Sequence, residues 1–163
     1  MRNNLLILTI ILIISCNNEA PSDNKNEEDS LLTDSEISLS SAERLLPWVS
    51  DFDTIKNEFY LKQQRKVNPD SLTVASLVND LNAEWENIKL VLVKASNDTL
   101  YVSIPDSDFL GQQMGSAGAQ AYMASTTYNL TELKGIKYVN YNMQAGDHVS
   151  PGTYSRKSFE NYR

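Results

Sequence analysis

Residues 17–43 carry eight acidic side chains against the single base Lys25. Their larger apolar residues, Leu31, Leu32, Ile37 and Leu39, are too sparse to form a core. A segment of this composition cannot bury enough apolar surface to offset the entropy of ordering it, so it reads as a disordered linker. Whatever the chain folds into must therefore be built from residue 44 onward. There thirteen acids face twelve bases, so the overall formal charge of -7 belongs to the linker and the folded part is nearly neutral. As a flexible coil, 27 residues reach roughly 30 Å. The run Glu27-Glu28-Asp29 fits a solvated, self-repelling spacer better than a cation site or a sorting signal.

What precedes the linker says where it starts. Arg2 supplies a positive charge, and residues 5–14 form an apolar run broken only by Thr9. That run is about half the ~20 residues a membrane-spanning helix needs, and polar residues follow it, so it reads as a cleaved signal segment. Its end, Ile13-Ile14-Ser15-Cys16, resembles the lipobox of bacterial lipoprotein signals: an aliphatic residue, a variable one, a small one and a cysteine. The resemblance implies acylation of Cys16, which becomes the first mature residue and holds the protein on the exported side of the cell envelope. The competing reading is an ordinary secretory signal that happens to end near a cysteine. Cys16 is the only cysteine, which excludes an internal disulfide, a CxxC redox motif and a thiolate zinc cluster.

The chain thus divides into a signal peptide (residues 1–15), an acidic tether (16–43), one domain (44–147) and a tail (148–163) that packs in part. The near-neutral domain shows no basic footprint, and no nucleic-acid partner is expected.

Within the domain, Leu45-Leu46-Pro47-Trp48-Val49 is the first dense apolar cluster, and Pro47 argues against a helix through it. Residues 58–66 read as extended. Asn68-Pro69-Asp70-Ser71 reads as the start of a helix of about four turns, with Val74, Leu77, Val78, Leu81 and Trp85 at helical spacing. Branched residues 88–93, the turn residues Ala95-Ser96-Asn97-Asp98 and the alternation of Leu100, Val102 and Ile104 predict a β-hairpin. Ser116 reads as the N-cap of a second helix whose inner face is Ala119, Tyr122, Met123, Thr126, Leu130 and Leu133, ending near Lys134-Gly135. A last strand is expected over residues 136–143, with Tyr138 opposite the apolar face of Val139, Tyr141 and Met143. The order (β)αββαβ predicts an α+β fold: a small mixed sheet with two helices on one face.

Residues 72–146 resemble a GerMN domain, a module named after spore-germination proteins and found in bacterial envelope lipoproteins. The matching stretches are Leu100-Tyr101-Val102-Ser103-Ile104, Gly115-Ser116-Ala117-Gly118, Thr126-Thr127-Tyr128-Asn129-Leu130-Thr131, and Ile136-Lys137-Tyr138-Val139 followed by Gly146. The chain departs from the usual form at Ser103 and at Ala119 or Gln120, where a carboxylate is common. The resemblance implies an α+β module related to the ring-building domains of sporulation machinery, with a binding or assembly role and no established enzymatic chemistry.

The residues themselves offer little catalytic chemistry. His148 is the only histidine, so a histidine metal site lacks a second ligand, and it reads as a solvent-facing or turn-capping residue. Asp106 and Asp108 offer two carboxylates to a hard cation, but no EF-hand spacing follows, and local turn bonding is the simpler reading. The loop ending Gly115-Ser116 has backbone amides at a helix start but neither the lysine of a P-loop nor a dinucleotide fingerprint. Tyr138 is the best surface candidate among the tyrosines. The expectation is a lipid-anchored, non-catalytic binding or assembly protein without a cofactor. Its partners would be the membrane through Cys16, an envelope protein or cell-wall component, or a second copy of itself, with Asp106, Asp108, Ser116 and Tyr138 as its candidate ligand or partner surface. The alternative is an envelope hydrolase or polysaccharide-binding protein that uses the loop of residues 105–116.

Overall fold

The computed structural model describes residues 46–162; Cys16 and the segments expected to form a signal and an acidic tether lie outside the described residues. The fold is α+β, as expected. A hairpin of β1 (Trp48–Asp53) and β2 (Glu58–Gln63) is followed by α1 (Val74–Glu84), β3 (Val91–Ser96), β4 (Thr99–Ser103), α2 (Gly115–Leu130), β5 (Tyr138–Asn142) and β6 (Gly152–Tyr154). The second sheet is mixed, in the order β3-β4-β5-β6, with β4 and β5 parallel and the outer pairs antiparallel.

The parallel β4–β5 pair requires a crossover, and α2 supplies it. Leu100 and Val102 of β4 and Val139 and Tyr141 of β5 are essentially unexposed, with Ile104 beyond β4 equally buried. These residues form the inner side of the sheet, as the alternation predicted.

The amphipathic reading of α2 needs correction. The expected stripe of Ala119, Tyr122, Met123, Thr126 and Leu130 is buried, but so is every residue from 121 to 130. The cause is that α2 lies between the two sheets. Ser125 and Asn129 meet Trp48 of β1, while Thr127, about 200° further round the helix, shares a 3.0 Å hydrogen bond with Tyr141 of β5. A helix covered on all sides carries no polar face. The buried hydroxyls of Tyr122 and Thr126 have no partner among the described residues, while Ser125, Thr127 and Asn129 find theirs inside.

Asn129 shows how. Its Oδ1 accepts from the Trp48 N–H at 2.9 Å, and its Nδ2 donates to the Trp48 carbonyl at 2.7 Å and the Ser125 carbonyl at 2.9 Å. The side-chain amide pairs with a strand residue as a neighbouring strand would. Asn82 of α1 repeats the device, accepting from Leu90 N–H at 2.7 Å and donating to Leu90 carbonyl at 2.9 Å. One amide docks the hairpin on α2; the other docks α1 on the approach to β3.

Several boundaries differ from expectation. Residues 68–71 form a separate 3₁₀ turn (Pro69–Ser71) capped by Asn68, and α1 begins only at Val74. Thr73, extended at φ -118°, accepts from Ser76 N–H and wins as the true cap, so α1 has three turns and not four. Ser116 is not an N-cap: α2 starts at Gly115, whose φ of +70° suits glycine, and no side chain caps it. At its far end Thr131 turns back to donate to the Thr127 carbonyl at 2.8 Å, and α2 stops at Leu130. The pair of strands around Asn97 begins later than expected, because Ile88 and Leu90 are buried before β3 starts. The expected extended segment is β2, and Trp48 opens its partner strand; Asn57 at φ +56° closes the turn between them.

The tail is integral to the domain. Its residues 152–154 are β6, hydrogen-bonded to β5, and a 3₁₀ segment (Arg156–Tyr162) buries Phe159. Arg156 fixes this end: its Nε donates to the Thr131 hydroxyl at 2.8 Å and its guanidinium reaches Glu132 at 2.6 Å and the Tyr128 carbonyl at 3.0 Å.

Candidate functional site

The candidate residues of the 105–116 loop do not gather at one place. Asp106 accepts from the Asp108 N–H at 3.2 Å, a local turn bond between two exposed residues. Between them Ser107 is buried and donates to the Gln144 carbonyl at 3.2 Å. Ser116 lies in the first turn of α2, where its hydroxyl meets His148 Nδ1 at 3.1 Å. Asp106, Asp108 and Ser116 line none of the three main clefts formed by the described residues, and the described residues contain no metal-holding group of three or more His, Cys, Asp and Glu. Tyr138 faces away from the core at 40% exposure, as its alternation predicted.

His148 is not simply solvent-facing. It is half-buried, held by the 3.1 Å contact to Ser116 and by a 3.2 Å bond from its own N–H to the Gly111 carbonyl. Two glycines allow this approach. A Cβ on Gly146 would stand 2.5 Å from the Cα of Gly111, so the two backbones meet with no room for a side chain. Gly146 N–H then donates to Val149 carbonyl at 2.9 Å, which closes the turn that carries His148.

That turn forms one wall of a cleft of about 450 Å³. The first turns of α2, exposed where the rest of the helix is covered, contribute Gln120 beside the buried Ala119 and Met123, and the C-terminal segment contributes Ser158, Phe159, Asn161 and Tyr162. Tyr162 donates to Gln120 Oε1 at 2.6 Å, and Tyr154 donates to the Ser150 carbonyl at 2.7 Å. Tyr154 stacks on Phe159 with ring centroids 5.7 Å apart. Partial burial pushes the phenols of Tyr154 and Tyr162 above the usual tyrosine range, so both are protonated donors at neutral pH. Among the described residues the lining includes no lysine or arginine; His148 and Asp147 are its ionisable groups. Sequence reasoning missed this site because its walls come from the stretch that reads as a tail. The signal was there: Tyr154, Phe159 and Tyr162 are more aromatic surface than a mobile tail carries.

A second cleft, of about 430 Å³, adjoins Tyr138 and is lined by Lys137, Arg156 and Lys157. Its charge is largely spent within the fold, since Arg156 pairs with Glu132 and Lys137 lies 3.6 Å from Asp98.

β3 also presents apolar side chains to solvent. It is the edge strand of its sheet, and all six of its residues are exposed. Val91, Leu92 and Val93 are 38%, 41% and 57% exposed. Leu92 pairs with Val102, which is fully buried, and therefore points to the inner side of the sheet. The core side of the sheet thus reaches the surface at this edge. The register shifts between Leu92 and Lys94, and such a bulge, with a lysine beside it, limits indiscriminate strand pairing.

The remaining unusual groups are structural. Burial pushes Tyr122 and Tyr141 far above the usual tyrosine range. Tyr141 is bonded to Thr127, whereas the Thr126 hydroxyl offsets part of the rise at Tyr122 without a hydrogen bond of good geometry.

Compared with known protein families, curated proteins and solved structures, the chain matches none of them.

Proposed function

We propose that the protein is a lipid-anchored component of the bacterial cell envelope whose GerMN-like domain acts by binding, as an assembly module and not as an enzyme. The observation that carries this reading is β3, a sheet edge on which Val91, Leu92 and Val93 lie exposed in a row. A strand edge offers unpaired backbone groups to an incoming chain, and apolar side chains beside it add the burial that makes such a contact selective. The lipobox-like Ile13-Ile14-Ser15-Cys16 and the acidic tether fit the same role, holding the domain within a linker's length of the membrane.

Two experiments test it. Changing Cys16→Ala should move the exported protein from the membrane fraction to the soluble one; retention in the membrane removes the anchor. Leu92→Lys with Val93→Lys, both at exposed positions, should leave the circular dichroism spectrum unchanged and abolish complexes captured by cross-linking in intact cells. Undiminished complexes in the double variant would overturn the role of β3.

A further inference from the structure

We infer that the partner of β3 is an extended protein segment bearing a large apolar side chain with a lysine or arginine beside it, and that a cleft at the start of β3 receives this pair. The inference rests on the reading of β3 as a contact edge and adds what that edge selects. β3 opens at Val91, which pairs with Ser103, the last residue of β4. A cleft of about 330 Å³ is lined by Ile88, before β3, and by Phe109, beyond β4. It therefore lies at the end of the sheet where β3 begins and β4 stops. Ile88 stands three positions before Val91, at most ~11 Å of extended chain. A strand added along β3 and continued about three residues past Val91 reaches the cleft, whichever way it runs. In strand addition the main chain supplies affinity and such pockets supply specificity.

The lining states the chemistry of that segment. Trp85, Phe109 and Met114 are half-buried and give the cleft accessible ring and thioether surface. Its volume is at the low end of the ~300–1,000 Å³ of whole-ligand sites, a size that suits one large side chain. The wall is set before a partner arrives: the Ile88 N–H donates to the Trp85 carbonyl at 2.9 Å, and Asn82 holds both backbone groups of Leu90. Glu84 and Glu86 stand exposed on either side of Trp85, and among the described residues no lysine, arginine or histidine joins them in the lining. Neither carboxylate is ion-paired among the described residues, even with nearby Lys89. Two unpaired carboxylates beside an apolar cleft favour a cation and disfavour an anion. The neighbour of the apolar anchor is therefore basic.

The test is calorimetric titration of the full chain in detergent with the end-blocked peptide Lys-Phe-Thr-Val-Thr-Val-Thr-Phe-Lys, a palindrome that offers the same end to the cleft in either strand direction. It should bind saturably. Peptides with both phenylalanines changed to alanine, or both lysines to glutamate, should each bind about tenfold more weakly. Glu84→Lys with Glu86→Lys, at exposed positions and checked by circular dichroism, should reverse the order of the lysine and glutamate peptides. Leu92→Lys with Val93→Lys should abolish binding of all three. No saturable binding of the first peptide, equal affinity of the three, or an unreversed order in the Glu84→Lys, Glu86→Lys variant would overturn the role of the cleft and leave cross-linking through β3 in cells untouched. Binding that survives Leu92→Lys with Val93→Lys would overturn the inference together with the β3 reading beneath it.

Discussion

Replacing Asn129 by leucine isolates the interaction that docks the hairpin on α2. The two side chains are close in volume, so the substitution removes hydrogen bonds without opening a cavity. It deletes the 2.9 Å and 2.7 Å bonds to the Trp48 N–H and carbonyl, at a residue only 4% exposed. A buried backbone group left without a partner costs about 1–3 kcal/mol, so two such groups imply about 4 kcal/mol in all. The Ser125 hydroxyl, 3.5 Å from the Trp48 carbonyl, recovers a small part of it. Against the roughly 5–15 kcal/mol that stabilises a domain of this size, that is a large fraction. Urea unfolding followed by tryptophan fluorescence measures it directly, with a fall in the midpoint at unchanged m-value. Hydrogen exchange should show the Trp48 amide losing protection ahead of the β4 and β5 amides. A midpoint change worth less than about 1 kcal/mol would refute the reasoning, because a buried amide pair of this geometry cannot be that cheap to break.

Other substitutions follow from the same packing. Gly146→Ala places a methyl 2.5 Å from Gly111 Cα, and should destabilise by about 1–3 kcal/mol as overpacking does. Gly118→Ala, in α2 and 3.4 Å from Met114 Cβ, should instead be neutral or gain about 0.5–1 kcal/mol from helix propensity; thermal melts rank the two. Glu132→Ala removes the acceptor shared by the Trp48 indole at 2.7 Å and Arg156 at 2.6 Å, and should cost about 2 kcal/mol in urea titration, on the scale of charge-assisted hydrogen bonds. Alkali should unfold the domain: Tyr122 and Tyr141 are held protonated by burial, so stability is intact below the ordinary tyrosine pKa of about 10 and falls by about 1.4 kcal/mol per pH unit for each of them above it. Tyrosinate absorbance should then rise together with loss of circular dichroism, and ionisation well before unfolding would contradict their burial.

The fold class and most of the inner sheet face were legible, because Leu100, Val102, Ile104, Val139 and Tyr141 alternate as a half-buried sheet requires. The all-round burial of α2 was not. Ser125, Thr127 and Asn129 look like a polar face in a sequence, and only their long-range partners turn them into core. Trp48 and Asn129 are 81 positions apart, and periodicity carries no information at that distance. The cleft was hidden for a related reason: its C-terminal wall lacks regular spacing and is held by Arg156 and by aromatic stacking rather than by a strand or helix pattern. Ser116 has the residue type of a cap it does not make; its contact with His148 depends on the Gly111–Gly146 approach, which no local signal announces.

That β3 is the contact edge of an assembly module is tested most directly by a photo-cross-linking residue placed at Val93 in the full chain in intact cells. Ile55, 94% exposed at the tip of the hairpin, serves as the control position. A contact edge at β3 predicts a discrete adduct from position 93 that is lost with Leu92→Lys and absent from position 55. Equal labelling at the two positions, or none at 93 in cells that carry the anchored protein, would contradict it.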